Sequence, residues 1–420
     1  MQKFERIVIF VLLVLATGAG QSFIVNREAS AGDRSQLVTQ AIFGLIYLVL
    51  ILFLVKYRSS VLSLVLRERW LAVLCVWAIL SVAWSVEPAE SFRRSLALVG
   101  STIAGLYLGL LFEPKQQLKA VAYAIGLGAL GSVAVAIMVP DVAFMPTGEL
   151  QGVYFLKNSL GHMMALGAVC FALLALDERR RRAVHVGMFL LCCVLLVLSK
   201  SATAAVVTML MLVLLPMRKL LYLRTRRLLA AIAVLVPVMM FATVCIVNSA
   251  EDLLGAVGRS SSLSGRIPLW QHVLQQIGER PITGYGFSAF WNSWQGERVS
   301  DAVNWDAAVP HAHNGFLEVW LGLGIVGLAL ILLSLSRNFL FAFRIARTNR
   351  EMEYSWPLLL VIFTAFYNLT ENSFLVVNTT PWIAYCAASY WLAGTAREAV
   401  RAMKEEPNVQ PAEAEPAFSS

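Results

Sequence analysis

About a dozen runs of mostly apolar residues, each near the ~20 that a helix needs to cross a bilayer, follow one another along this chain. They lie near 7–25, 37–55, 70–86, 94–112, 118–139, 159–176, 184–199, 202–216, 228–248, 315–336, 356–374 and 380–396. Inside hydrocarbon every backbone N–H and C=O must find its partner within the segment, so runs of this length dictate helices. Composition agrees, because a chain of 420 residues that is 58% hydrophobic and 14% charged, with a mean hydropathy of +0.69, has more apolar surface than a water-soluble core can hide. The expected fold is all-α, a polytopic helix bundle of about 12 transmembrane helices. The first run is too long for a signal peptide and lacks a small-residue cleavage pattern, so it is kept as a helix.

Charge sets the orientation. With the N-terminus cytoplasmic, most of the Lys and Arg fall in cytoplasmic segments, among them Arg179 to Arg182, Arg218, Lys219 and Arg337 to Arg350, as the positive-inside rule requires. The net charge of +8 is therefore a topology signal. With no basic patch interleaved with aromatics, a nucleic-acid partner is not expected. All six cysteines lie inside the runs and read as small hydrophobes, with neither disulfide nor metal spacing.

This orientation divides the chain into spans one to nine (1–248), one long extracytoplasmic loop (249–312), spans ten to twelve (313–396) and a cytoplasmic tail (397–420). The tail is acidic and proline-rich, and it is expected to be disordered. In the loop, "SGRIPLWQHVLQQIGERPITGYGFSAFW" offers Ser264 as an N-cap and Pro268 at an early helical position. Ile267, Trp270, Val273, Leu274 and Ile277 recur at helical spacing before Pro281, predicting a short amphipathic helix on the membrane surface or on the bundle. The glycines that follow predict a turn; with no preceding strand and no Gly-Lys-Ser they do not form a nucleotide loop.

Polar groups at the ends of apolar runs are the candidates for chemistry. His311 and His313 stand just before the tenth run. Two residues apart, they should point in well-separated directions, so that one at most faces a given site. His313 is favoured, since it precedes Asn314, an N-cap for that run; both histidines also read as ordinary interfacial loop residues. Arg266 opens the amphipathic helix, where free N–H groups favour an anion and a guanidinium adds bidentate phosphate recognition, or it is a solvated loop arginine. Lys157 and Lys200 end spans as snorkelling anchors or as cations facing a cavity, and Lys200 interrupts an apolar stretch with no charged neighbour. His162 and Glu371 are polar groups at or within spans and are either functional or bonded to a neighbouring helix. His185 and His272 read as structural. A metal held by His311 and His313 with Asp301, Asp306 or Glu318 matches no zinc spacing, and no metal is expected.

These stretches resemble a known family. "HNGFLEVWLGLGIVG", with His313, Asn314, nine residues, Gly324, two residues and Gly327, is similar to the signature of the O-antigen ligase and O-antigen polymerase superfamily. "SGRIPLW" carries Arg266 where that family has a Gly-Arg element. "LKNSLGH", "LSKSATA", "PITGYGFSAFW", "HAHNGFLE" and "NLTENS" look like its exopolysaccharide-polymerase branch. The resemblance implies a metal-independent inner-membrane glycosyltransferase with a periplasmic site and both termini cytoplasmic. It would polymerise undecaprenyl-diphosphate-linked repeats into exopolysaccharide or O-antigen-type polymer without a cofactor. It further implies a glycan or lipid A-core acceptor, membrane lipids as surroundings, and a flippase and a chain-length regulator as partners. His313 and Arg266 would be catalytic, with Lys200, Lys157, Asn314, His311 and Glu371 binding substrate. A second family arginine falls at Ala202 here, which mildly disfavours the alternative of a ligase acting on lipid A core. A secondary transporter is the remaining alternative, but no internal repeat of the kind carriers show is visible.

Overall fold

The computed structural model describes residues 3–20, 29–219, 266–303 and 309–405. The expected ninth span, residues 249–265 of the long loop, Asp306 and the last part of the tail lie outside the described residues, as does the N-cap expected at Ser264. Among the described residues the protein is helical, with one isolated bridge between Phe144 and Leu150 and no strand. The helices are α1 (Lys3–Ala16), α2 (Ala29–Val55), α3 (Arg58–Arg67), α4 (Arg69–Leu80), α5 (Pro88–Leu111), α6 (Pro114–Met138) and α7 (Lys157–Asp177). They continue as α8 (Arg182–Ser199), α9 (Ala202–Met217), α10 (Arg266–Glu279), α11 (Trp294–Ala302), α12 (Gly315–Thr348), α13 (Ser355–Tyr367) and α14 (Thr380–Glu405). Helix α3 is an addition to the elements read from sequence.

Six described helical stretches are long and apolar enough to cross a membrane: Val38–Val55, Pro88–Leu111, Pro114–Met138, Lys157–Asp177, Arg179–Ser199 and Gly315–Thr348. Arg69–Trp84, Ala202–Met217 and Met352–Tyr367 are shorter apolar helices. The protein is thus a membrane protein, and the surface of the bundle suits lipid: Leu45, Leu52, Val184, Val194 and Val197 are exposed on α2 and α8. Local sequence explains several boundaries. Pro88 and Pro114 open their helices, where a missing N–H costs nothing, and Glu113 and Gln116 complete a capping box on α6.

Helix α7 is the axis of one half of the bundle, with α6, α8 and α9 around it. Small residues permit the approach: a Cβ at Gly167 would lie 2.8 Å from Ile125 and 3.1 Å from the Cys192 sulfur. In the other half, Gly105 and Gly109 form a small-xxx-small pair that seats α5 directly on α14, where added Cβ atoms would meet Cys386 Cβ at 2.2 Å and the Ala387 carbonyl at 2.5 Å, the close packing that substitutes for hydrophobic drive in lipid. The described cysteines are free, and four of them, Cys75, Cys170, Cys192 and Cys386, are buried.

Chain direction places Lys157, Ser199, Ala202, Gly315, Tyr367 and Thr380 at one end of the bundle, because each begins or ends a helix that runs to the opposite end. That opposite end carries the basic run Arg179–Arg182, with ion pairs Lys115–Asp177 at 2.5 Å and Lys119–Glu178, and Arg218 donating to the Arg350 carbonyl. A second charged pair lies toward it: Glu68, fully buried, pairs with Arg337 and accepts from Ser334 Oγ at 3.0 Å, while Asn338, Tyr385 and Ser389 complete the polar strap between α12 and α14.

Helix α12 is broken at Gly324, whose φ of 68° and ψ of −172° are non-helical. The interruption receives the 281–287 loop. Tyr285 and Gly286 N–H donate to the Leu321 and Gly322 carbonyls at 2.9 Å, Ile325 N–H donates to the Pro281 carbonyl, and Trp77 Nε1–H takes the Leu323 carbonyl. Backbone groups released by the break are thus satisfied by protein, the condition for irregular chain at membrane depth. Gly322, Gly324 and Gly327 have the spacing of small residues expected to let neighbouring helices approach. The structure corrects this for the first two: they admit a loop, and a Cβ on Gly324 would sit 1.9 Å from the Ile282 carbonyl oxygen.

Gly324→Ala should therefore cost about 1–3 kcal/mol or more, seen as a lower melting temperature or loss of monodisperse protein. Gly44→Ala, where an added Cβ meets nothing within 4 Å, should stay within about 1 kcal/mol of wild type.

Candidate functional site

Helix α13 ends at Tyr367, seven residues before the end of the apolar run, because Asn368 takes over the following chain. Its side chain accepts from Ser373 and Phe374 N–H at 2.8 and 3.0 Å and donates to the Thr364 carbonyl and Ser373 Oγ. The turn thus held puts Glu371 outside the helix, against the start of α12. Gly315 N–H donates to both the Asn368 and Glu371 carbonyls, at 2.8 and 2.9 Å, and a Cβ there would meet Asn368 Oδ1 at 1.9 Å. Asn314 is the N-cap expected, accepting from Phe316 and Leu317 N–H at 3.0 and 3.1 Å, while its amide donates to the Leu369 carbonyl.

Glu371 is 4% exposed and Arg266 8%, and they form a buried ion pair, Arg266 Nη2 to Glu371 Oε1 at 2.5 Å. Arg266 Nη1 donates to Thr203 Oγ1, which also receives Thr370 Oγ1–H, and Asn158 Nδ2–H donates to Glu371 Oε1 at 3.1 Å. The other carboxylate oxygen, Oε2, lies 3.1 Å from His313 Nδ1. One carboxylate therefore joins an arginine from the long loop to a histidine at the head of α12. Burial pushes the Glu371 carboxyl up, but the His313 hydrogen bond and the charges of His313 and Arg266 outweigh it and hold it below the usual carboxylate range.

The two histidines depart from the sequence reading. His313 adopts a left-handed φ of 47°, so its backbone N–H turns to donate to His311 Nδ1 at 3.1 Å and the two rings lie 4.2 Å apart. The alternation argument assumed regular backbone and fails at this kink, which brings both imidazoles to one place. Such φ values in a non-glycine residue store strain and concentrate at functional sites. Burial, with the charge of His313 adding to it, pushes His311 down to about 4, so its ring is neutral at pH 7. The ligating atoms of His311, His313 and Glu371 all lie within 4.8 Å of one another; Glu371 holds the place that Asp301, Asp306 or Glu318 had in the sequence reading.

Glu318, one turn into α12, instead fixes the strap above it. It accepts Ala312 N–H at 2.7 Å and Trp291 Nε1–H, while Trp270 Nε1–H of α10 takes the Ala312 carbonyl at 2.9 Å. Helix α10 is present, but its buried face is Arg266, Leu269, Val273 and Ile277. Ile267 and Leu274, expected on that face, are 55% and 49% exposed, because the register is set by docking on α12. Of the expected lysines, Lys157 pairs with Glu149 at 3.3 Å, and Lys200 is an exposed left-handed cap with φ 50° between α8 and α9. His162 lies buried on α7 with its ring stacked 3.7 Å from Tyr367; His185 is buried within reach of Glu178. Thr203, Asn158, Thr370, Trp291 and Asn368 were not singled out from the sequence; the one signal that marks them is that they lie inside the family-like stretches "LSKSATA", "LKNSLGH", "NLTENS" and "PITGYGFSAFW".

What the fold and site define is a membrane-embedded helix bundle with a buried arginine–carboxylate–histidine cluster at one end, fed by a loop docked on a broken helix. Residues 186–332 match the family model described as O-antigen ligase, which covers Lys200, Arg266 and His313 and stops short of Glu371. The chain is 25% identical over 301 residues to exopolysaccharide production protein ExoQ of Rhizobium meliloti, covering 69% of this chain and 68% of that one. It is 30% identical over 125 residues to an uncharacterised Haemophilus influenzae protein (29% of this chain, 31% of that). A Rickettsia conorii protein whose name assigns it provisionally to polysaccharide ligases is 35% identical over 74 residues (17% of this chain, 18% of that). The chain is thus similar over residues 186–332 to O-antigen ligases, and over 69% of its length to an exopolysaccharide production protein.

Removing one partner of a buried ion pair leaves a charge unpaired in a poor solvent. Glu371→Leu should destabilise the protein by about 3–5 kcal/mol, and adding Arg266→Met should recover part of the loss, as read by thermal unfolding in detergent. Acid acts in the same direction: since the Glu371 carboxyl is depressed, its contribution is complete above about pH 5 and fades as pH falls through the folded-state value.

Proposed function

We propose that the protein polymerises oligosaccharide repeats carried on undecaprenyl diphosphate, working at the periplasmic face of the bacterial inner membrane without a metal ion or cofactor. The observation that carries this reading is the His313–Glu371–Arg266 cluster at the end of the bundle away from the basic run Arg179–Arg182. With both termini cytoplasmic that end is periplasmic, where a lipid-borne glycan and water meet.

In the proposed reaction Glu371 accepts the Nδ1–H of His313, which fixes the tautomer and leaves the lone pair on Nε2 for the acceptor hydroxyl. The hydroxyl oxygen bonds to the anomeric carbon from the side opposite the diphosphate and its proton passes to His313. The carbon–oxygen bond to the diphosphate breaks with its electron pair, so the anomeric centre inverts. Charge growing on the leaving diphosphate is met by Arg266. Because Glu371 already neutralises Arg266, a net positive field needs another cation, and the exposed Lys200 at the same end of the bundle supplies it. Lys157, paired with Glu149, contributes less, and Asn314 and His311 shape the mouth. A flippase and a chain-length regulator are the partners this reaction requires. The ligase reading, with lipid A core as acceptor, uses the same groups.

Cells lacking the protein should accumulate single lipid-linked repeats by mass analysis, relieved by wild type but not by His313→Ala, whose rate should fall about 100-fold or more. Full-length lipid-linked polymer that never reaches a final acceptor would show a ligase instead, and unchanged lipid-linked species would sink both readings. Prolonged EDTA treatment of the purified enzyme should leave its rate unchanged; loss restored by a divalent ion would contradict metal independence.

A further inference from the structure

The groups proposed to move a proton are also a set that transition metals select. We infer that His311, His313 and Glu371 form a binding site for a borderline divalent ion of the Zn²⁺ type, and that occupancy of this site switches the protein off. The inhibitory part rests on the catalytic reading given above; the binding part does not.

Geometry carries the argument. Tetrahedral zinc holds nitrogen and oxygen ligands about 2.0–2.1 Å away, so neighbouring ligand atoms lie about 3.3 Å apart by that geometry. His313 Nδ1 and Glu371 Oε2 already stand at 3.1 Å, and the ligand atom of His311 is within 4.8 Å of both. Side-chain adjustments of up to about 1.5 Å close the set around an ion of that bond length. Two imidazoles and one carboxylate suit Zn²⁺, Co²⁺, Ni²⁺ or Cu²⁺; Mg²⁺ and Ca²⁺ ask for oxygen ligands and more of them. His311 and His313 are each partly exposed, which gives the ion an entry path. Around these ligands is a built shell: Asn158 and Arg266 fix the other Glu371 oxygen, and Ala312 between the histidines is clamped by Glu318 and Trp270. Such supports orient ligands.

Arg266 works against the ion, since it draws on the same carboxylate and adds a positive charge beside it. The site should therefore bind moderately rather than as a structural zinc centre, and weakening that charge should strengthen binding. Binding through His313 Nδ1 moves the proton on that nitrogen to Nε2, so the ring ligates as a neutral imidazole whose Nε2 now carries the hydrogen and has no lone pair for the hydroxyl proton. The His313–Glu371 hydrogen bond is lost in the exchange, and the ring that would accept the hydroxyl proton becomes a metal ligand. No other described residues bring three such side chains together.

The test uses the full chain in nanodiscs, stripped with EDTA and exchanged into chelator-free buffer. Co²⁺ is titrated and followed by its visible ligand-field absorption, then displaced by Zn²⁺ in competition with a chromophoric chelator. One saturable ion per chain is expected, with affinity at least tenfold weaker in both His311→Ala and His313→Ala, each variant checked for wild-type melting temperature and replaced by the corresponding glutamine variant if it fails that check. Arg266→Gln should bind Zn²⁺ more tightly than wild type. Absence of saturable binding below millimolar metal, or a change of less than tenfold in either histidine variant, overturns the site. The titration needs no turnover, so its failure is distinct from failure of the enzymatic reading. Zn²⁺ inhibition of lipid-linked chain growth, reversed by EDTA, then tests the switch.

Discussion

The carboxylate of Glu371 is the point on which the site end of this bundle depends. It is buried, it carries a charge, and it has Arg266 on one oxygen and His313 near the other. A buried charge is tolerated only when paired and hydrogen-bonded, so the pairing obliges α10, the turn after α13 and the head of α12 to meet. The turn is shaped by Asn368, the head of α12 by Asn314, and the strap between loop and helix by Glu318. Each of these uses its polar side chain to satisfy backbone groups that irregular chain leaves open.

Around that cluster the scaffold is rigid for a different reason. The 281–287 loop fills the break at Gly324 and takes up the carbonyls of Leu321 and Gly322, with Trp77 on that of Leu323, so this part of the long loop is seated in the bundle rather than lying over it. On α12 the distance from the break to the Glu68–Arg337 pair is about three to four helical turns. The same helix is thus anchored by a buried charge pair toward one end and by the histidine cluster at the other.

The lipid-facing runs were legible in the sequence because hydrophobic length alone specifies them, and most boundaries moved by only a few residues. Helix α3 was not, being short and polar enough to pass for a connection. At the site, His313, Arg266 and Glu371 stood out singly as ionisable groups beside apolar runs. Their association did not, since Glu371 lies 105 residues from Arg266 and 58 from His313 and no local pattern spans such separations. The juxtaposition of His311 with His313 hangs on one left-handed backbone angle, which an L-residue adopts only when its surroundings impose it. The buried face of α10 kept Val273 and Ile277, lost Ile267 and Leu274 and gained Leu269, because docking, not periodicity, chose between neighbouring apolar stripes. The Gly105 and Gly109 spacing in "GLYLG" was a readable signal for the α5–α14 contact.

The central claim is that this cluster is where a glycan-bearing lipid diphosphate reacts. The most direct measurement is a cryo-electron microscopy structure of the protein in nanodiscs with a non-hydrolysable undecaprenyl diphosphate glycan. The account predicts diphosphate density within hydrogen-bonding reach of Arg266, on the Lys200 side of the bundle end, with the anomeric carbon facing His313 Nε2. Diphosphate density at the basic end, or a bound glycan with its anomeric carbon turned away from His313, would contradict it.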